Sequence, residues 1–589
     1  MSISPSRYLG TQLYYDASGG ILKHLKVVRC RFALLEGTMG VSRKGFGPSR
    51  RKRLPYTPIS ENKTVSTGRR LAAAALIVIL GTAGSRVFGY VREITAAAYY
   101  GAGAEKSAFD VAFLVPSTVQ VLVAQAALSA ALIPVFAGLL EKDRRDEAWL
   151  VARTVFTLIT VLLGGLVVAC IIFTPQIMPI FAPGYRNDPE MMANIVGMSR
   201  LLFPTVLLLA LTGVVISILN SHNHFTLPAI APIFWNLIII LVIVFGHERL
   251  GIDALAWGVL LGTVVQLLMQ LPWLMGRGGR LGFSLAWKNQ NVRQVGALML
   301  PVSLSLGLIN LNGVVDIQFA SFLGEGGVAA MSYAFRLYQM PEALFAITIG
   351  TVLFPTLSRL AARDDDEGFM STVTLGLRII FFILIPISAF LLVMAEPLVR
   401  LAYEHGQFVS GDTQLVASVL FYFAFGSAFS GGSALLTRGF FSLSRPWLPT
   451  SVAFVNLAVN AILNWLFIGP LDLGLGGIAL STSVVSFATF FVLLYLMRRE
   501  LGHIDGRAIL RSGVLVSVMS ILSGAAAWFA WHGLDALLGR DLISQIISLT
   551  GAALLAAAVF LGLALIIRMP ELKLVRMIRK RPDAPGSSL

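Results

Sequence analysis

Apolar stretches of about 20 residues recur along this chain, each long enough to cross a hydrocarbon core of roughly 30 Å as a helix. Fourteen lie between Leu71 and Arg568, with approximate cores at 71–99, 107–137, 154–173, 196–220, 226–246, 253–276, 294–322, 328–358, 379–395, 414–437, 447–468, 476–497, 512–533 and 544–567. No water satisfies backbone N–H and C=O groups inside lipid, so segments of this kind must be helical. The expected fold is an all-α polytopic membrane protein with 14 transmembrane helices. A mean hydropathy of +0.78, with only 13% charged residues, leaves too little polar surface for a soluble globule of this length.

Positive charge sets the expected orientation. Placing the first 70 residues in the cytoplasm puts 14 Lys and Arg there, and 23 more fall in same-side connections and the C-terminal tail. The opposite side holds 6. This is the positive-inside asymmetry, carried for instance by Arg277, Arg280, Lys288 and Arg293 in one loop. Both termini are therefore expected in the cytoplasm, the chain lying in the cytoplasmic (inner) membrane. The tail Lys573, Arg576, Arg579, Lys580 and Arg581 is expected to rest on anionic membrane lipids, so the net charge of +15 calls for no nucleic-acid partner. Residues 1–70 read as a basic, disordered cytoplasmic extension without the apolar core of a secretory signal, and Met39 offers an alternative start. The only cysteines, Cys30 and Cys170, make neither a disulfide framework nor a thiolate metal site.

The chain also repeats itself. Ala112-Phe113 matches Ala334-Phe335, Pro134 matches Pro355, Leu227-Pro228 matches Leu448-Pro449, and Asn236 matches Asn456, all at offsets of 220 to 222. Six spans separate equivalent helices, so the two copies share one orientation about an axis along the membrane normal. The expected organisation is an N-lobe (71–290), a C-lobe (291–498), two further helices (499–568) and a basic tail (569–589). Two parallel six-helix pseudo-repeat lobes suit an alternating-access carrier with its site near the midplane.

Three arginines are left inside the spans: Arg86, Arg92 and Arg336. Each costs at least about 2.5 kcal/mol to insert, so each is expected to face protein or a wet cavity. In the first span Arg86 and Glu93 share a helical face, with Arg92 about 120° away. One reading makes these arginines a cationic floor that grips a phosphate or pyrophosphate through forked donors. The alternative lets Arg86 and Glu93 neutralise each other while Arg92 snorkels. Arg336, near Gln339 and Glu342, either joins that floor from the second lobe or pairs with Glu342. Ser85, Glu93, Asp110, Ser117, Gln120, Gln125 and Gln339 complete the expected cavity lining. Asp316 and the series Asn456, Asn460 and Asn464, followed by Thr482, offer oxygen ligands for a coupling Na+ or H+, or else ordinary interhelical hydrogen bonds.

The segments SRVFGYVRE (85–93), YGAG (100–103), IP (133–134), FAPG (181–184), ILN (218–220), FASFL (319–323), YAFRL (333–337) and GTVLFPTLS (350–358) resemble the MurJ/MviN family, within the multidrug/oligosaccharidyl-lipid/polysaccharide exporter superfamily. The resemblance runs from about Leu71 to Arg568. It implies two six-helix lobes, two added C-terminal helices that form a groove for a lipid tail, and flipping of lipid II, the undecaprenyl-pyrophosphate-linked peptidoglycan precursor of the cell wall. It also implies that Arg86, Arg92 and Arg336 bind the pyrophosphate and sugar, and that Asp316, Asn460, Asn464 and Thr482 form a sodium site. Ser107, Gln120, Gln125, Phe335 and Asn464 stand where the family pattern places charged groups.

Rival classes remain open at this stage: a flippase of another polyprenyl-linked saccharide, a cation-coupled drug exporter, and a membrane enzyme acting on polyprenyl lipids. A drug exporter favours an acidic cavity, and an enzyme needs a catalytic base on a sizeable loop or domain that the short connections do not supply. No Gly-Lys pair and no His-Glu-x-x-His run occurs, which argues against ATP hydrolysis and zinc chemistry. No cofactor is expected beyond a coupling ion, and no enzymatic activity.

Overall fold

The computed structural model describes residues 61–123, 125–274, 281–502 and 506–572. Of the expected extension at 1–70, residues 1–60, with Cys30, lie outside them, as does most of the basic tail; residues 61–70, expected to be disordered, are helical and begin the first helix. The described residues are helical, with no strand among them. In chain order the helices are α1 (Glu61–Tyr100), α2 (Ala104–Val123), α3 (Gln125–Glu141), α4 (Arg145–Ile172), α5 (Thr174–Phe181), α6 (Pro189–Ser221), α7 (Thr226–Leu250) and α8 (Asp253–Leu268). They continue as α9 (Gln290–Ala320), α10 (Gly327–Pro341), α11 (Ile347–Ala361), α12 (Asp366–Val393), α13 (Ala395–Tyr403), α14 (Ser410–Ala424), α15 (Ser427–Ser442), α16 (Trp447–Ile468), α17 (Gly474–Leu501), α18 (Gly506–Leu538) and α19 (Leu542–Ile566). Among the described residues, ten helices are long and apolar enough to cross a membrane, or eleven when α14 and α15, bent by 48°, count as one span.

Local chemistry explains where helices begin, bend and end. Asp188 accepts from the Met191 N–H at 3.0 Å ahead of Pro189, and Asp365 caps α12 through the Gly368 N–H at 2.9 Å. A π-helical turn at Glu342–Ala346, directly after Pro341, joins α10 to α11. Proline removes a backbone bond, and turns of this kind absorb the mismatch. Where α14 gives way to α15, the Ser483 hydroxyl donates to the Tyr422 carbonyl at 2.7 Å and so satisfies an acceptor released by the bend.

Turns outside the helices carry the repeat as well. The left-handed residues Asp143 and Asp364, Asn223 and Ser444, and Gly251 and Asp472 are each 221 residues apart, the same spacing as the sequence pairs.

The apolar cores explain why a cavity forms. The described residues from Arg70 onward form one compact unit. At the end of that unit where α1 meets α2 and α9 meets α10, one buried cluster joins both halves of the chain, from Ala96 and Phe109 to Tyr333, Tyr403 and Phe423. At the opposite end the core divides. One cluster holds Phe136, Trp149 and Leu219, while a separate one holds Phe369, Leu435 and Phe490. The halves are thus sealed at one end and part at the other.

Backbone contacts complete the seal. The Gln407 N–H donates to the Ala98 carbonyl at 2.8 Å, the Tyr333 hydroxyl to the Gly101 carbonyl at 3.2 Å, and the Ala329 N–H to the Ser107 hydroxyl at 3.1 Å. On the other flank the Gly184 N–H donates to Ser321 Oγ at 2.9 Å. Nearby, Tyr185 donates to the Gly324 carbonyl at 3.1 Å, and burial pushes its hydroxyl pKa up to about 12, keeping it a donor.

Helices α18 and α19 pack on each other, and α18 packs on α12. Beyond α19, the buried Glu571 accepts from Arg378 Nε at 2.8 Å and Ser512 Oγ at 2.7 Å, fastening the chain to α12 and α18 where the basic tail begins.

Candidate functional site

Residues from both halves line a cavity of about 160 Å³: Arg86, Gly89, Tyr90, Arg92 and Glu93 from α1, with Arg336, Gln339, Met340 and Ala343 from the α10 segment and its π turn. Glu93 is the pivot. Its carboxylate contacts the Arg92 guanidinium, and its Oε1 lies 2.9 Å from Arg336 Nε. Arg92 is packed inside the protein with its guanidinium 5.0 Å from the Trp235 ring centroid. The Tyr90 hydroxyl donates to the Arg336 carbonyl at 3.1 Å, a second link between α1 and α10. Helix α7 holds α1 from behind, because Asn236 Nδ2 donates to the Ser85 carbonyl at 3.4 Å.

Two alternatives considered on sequence are thereby overturned. Arg86 does not neutralise Glu93; Glu93 is held by Arg92 and Arg336, and Arg86 stays exposed on the cavity side. Arg92 does not snorkel, because Trp235 and Glu93 supply it with partners inside the bundle. Nor does Arg336 pair with Glu342, whose Oε2 accepts from Ser430 at 3.0 Å. Facing directions on a single helix do not reveal which neighbouring helix supplies the counter-charge.

Three guanidiniums therefore face one carboxylate. Each guanidinium has five N–H donors, and Glu93 accepts from only part of two of these sets. Of the expected lining residues, Glu93 and Gln339 are in the cavity wall. Ser85 meets α7 through its carbonyl. Asp110 lies behind the floor, paired with Lys106. Gln120 and Gln125 fall on helical stretches whose side chains lie outside the described residues. Lys106 falls between the expected cores at 71–99 and 107–137, yet it is 2% exposed. The signal for it was the i,i+4 spacing to Asp110 at the start of an apolar helix.

A second cluster gathers Asp316 of α9, Asn460 and Asn464 of α16, and Ser481 and Thr482 of α17. Asn464 Nδ2 donates to Asp316 Oδ1 at 2.9 Å, and Thr482 Oγ1 to Asp316 Oδ2 at 3.0 Å. Asn464 also donates to Asn460 Oδ1 at 3.2 Å, and Ser481 donates to Asn464 Oδ1. All four residues expected to form the ion site meet, with Ser481 as an unforeseen fifth. Asn456 lies apart and donates to Thr489 at 2.7 Å. The buried Asp316 carboxylate thus accepts from two neutral donors, an amide and a hydroxyl. Hard oxygen ligands of this kind suit Na+ or a proton.

A model of the family described as lipid II flippase MurJ matches residues 96–536. A probable lipid II flippase MurJ of Rhizobium meliloti (strain 1021) is 30% identical over 517 residues, 86% of this chain and 96% of that protein. A lipid II flippase MurJ of Burkholderia cenocepacia is 29% identical over 501 residues, covering 83% of this chain and 96% of the relative. Among solved structures, a lipid II flippase MurJ in an inward closed conformation aligns with a TM-score of 0.70 at 23% identity, covering 84% of this chain and 98% of that one. An inward-facing multidrug resistance transporter of the MATE family aligns at 0.60 with 15% identity, over 72% of this chain and 96% of that one. With an arginine floor shared between two halves, and with most of its length matched by the family model, this chain belongs to the lipid II flippase MurJ family.

Proposed function

We propose that this protein is a flippase that moves lipid II from the inner to the outer leaflet of the bacterial cytoplasmic membrane by alternating access, leaving its substrate chemically unchanged. The observation that carries this reading is the Arg92–Glu93–Arg336 cluster, which joins the two halves at the floor of a cavity closed at one end. A pyrophosphate entering the cavity competes with Glu93 for both guanidiniums. Exchanging the Glu93–Arg336 bond for a phosphate bond loosens the α1–α10 link, so binding is coupled to separation of the halves.

Fourteen spans fit the helix lengths. The bent pair brings the ten apolar helices to eleven, and α1, the α2–α3 pair and α9 supply the other three. The positive-inside asymmetry puts both termini in the cytoplasm and the sealed end on the outer face. Apolar side chains exposed on α18, including Leu510, Ile521 and Phe529, supply a surface against which a polyprenyl tail stays in lipid.

Exchange of a labelled lipid II analogue in proteoliposomes tests the assignment. Wild type is expected to exchange it, and Arg86→Ala to slow it about tenfold at matched reconstitution, as for one lost charge-assisted contact. A folded wild type that moves no lipid II but moves another polyprenyl-linked saccharide reassigns the substrate.

The Asp316 cluster is the proposed Na+ or H+ coupling site. Asp316→Asn keeps the volume and removes the charge. Transport by this variant is expected to lose its response to a sodium or pH gradient while retaining a gradient-independent rate. An undiminished gradient response would remove Asp316 from the coupling step.

A further inference from the structure

Behind the arginine floor, toward the sealed end, lies a second space of about 20 Å³ whose walls include Arg92, Glu93, Arg336, Lys106 and Asp110. It has room for about one water. Arg92, Glu93 and Arg336 thus face the open cavity on one side and Lys106 on the other.

The Lys106 ammonium is 2.6 Å from both oxygens of Asp110, one turn along the same helix. It also sits 4.7 Å from the Tyr333 ring centroid, and Tyr333 rides on α10 in the other half. The cation is therefore held by a carboxylate that travels with it and by a ring that does not. Burying such a pair is expensive, and apolar residues of similar volume fill the same space at lower cost. Neither the cavity nor the Asp316 cluster uses it.

We infer, building on the flippase reading, that Lys106 is a release-side binding residue for the phosphate of the cargo. When the sealed end parts, α10 carries Tyr333 away and the water-sized space widens. The ammonium then has a free approach to the phosphate leaving Arg92 and Arg336. Asp110 stays within reach and competes for the same ammonium, so the anion is passed onward and not trapped. The ligand class is a phosphate or pyrophosphate ester.

Proteoliposomes containing wild type, Lys106→Met/Asp110→Asn and Lys106→Arg provide the test, with the exchange rate measured across a range of lipid II analogue densities. The double variant removes both charges together and leaves no unpaired buried ion. Its maximal rate is expected to fall about tenfold while half-saturation stays within about twofold, because the open-side arginines are untouched. Lys106→Arg keeps the cation and is expected to stay within about threefold of wild type. A double variant as fast as wild type overturns the inference, since Lys106 would then serve only as the partner of Asp110. Should the double variant not fold, a folded Lys106→Arg protein that has lost transport overturns it equally. A wild type that moves no lipid II overturns the underlying flippase reading and this inference with it. A wild type that works beside an equally fast double variant overturns this inference alone.

Discussion

Arg336→Ala is expected to cut lipid II exchange by about a hundredfold or more while the protein still folds and inserts. Arg336 contributes the second half's guanidinium to the floor, and it holds Glu93 at 2.9 Å across the seam. Two forked bonds to a phosphate, each worth roughly 1.5 kcal/mol or more, account for a loss of that size. Stability should change little: the Arg336 side chain is 44% exposed, and Glu93 keeps Arg92 as its partner. Arg336→Lys retains the charge but not the fork, so partial recovery is expected. Exchange close to wild type in Arg336→Ala would show that the cargo does not bridge the two halves at this residue.

Gly406→Val is expected to disable transport by a different route. Gly406 has φ +62°, and a Cβ placed on it would stand 2.2 Å from the Ala98 carbonyl oxygen at the end of α1. That oxygen is backbone and already accepts from the Gln407 N–H, so it cannot move aside cheaply. A β-branched residue also meets the left-handed strain, roughly 1 to 2 kcal/mol by itself. The clash exists only when the end is sealed. The variant should therefore favour the parted arrangement, with exchange reduced by at least about tenfold, in line with a clash worth more than 1.4 kcal/mol. A cysteine at Ser107, in a background without Cys30 and Cys170, reports the change: labelling by a membrane-impermeant thiol reagent should rise sharply in Gly406→Val. Unchanged labelling together with unchanged exchange would mean that this loop does not govern closure.

Much of this architecture was legible in the residue string because lipid simplifies the code. A helix in hydrocarbon needs about 20 apolar residues, so the spans announce themselves by length. The repeat was legible through Pro134 and Pro355, and its offset recurs in the turns at Asn223 and Ser444. The candidate ion site was also within reach. Asn460 and Asn464 lie one turn apart on α16, and the resemblance added Asp316 and Thr482, which meet them.

Other features belong to the assembled bundle. Helical periodicity placed Arg86 and Glu93 on one face, yet Glu93 found Arg336, because α10 comes alongside α1 and presents a guanidinium at the right depth. Lys106 sits beside the YGAG turn, where a lysine in an isolated helix would reach for water. It is buried because Tyr333 and Asp110 close over it. Spacing along a chain determines which side chains share a face, and hydropathy determines which segments enter lipid. Which charges meet across the seam, and which end of the bundle is shut, is decided only when distant helices pack, because an ion pair between residues so far apart in sequence depends on where whole helices stand.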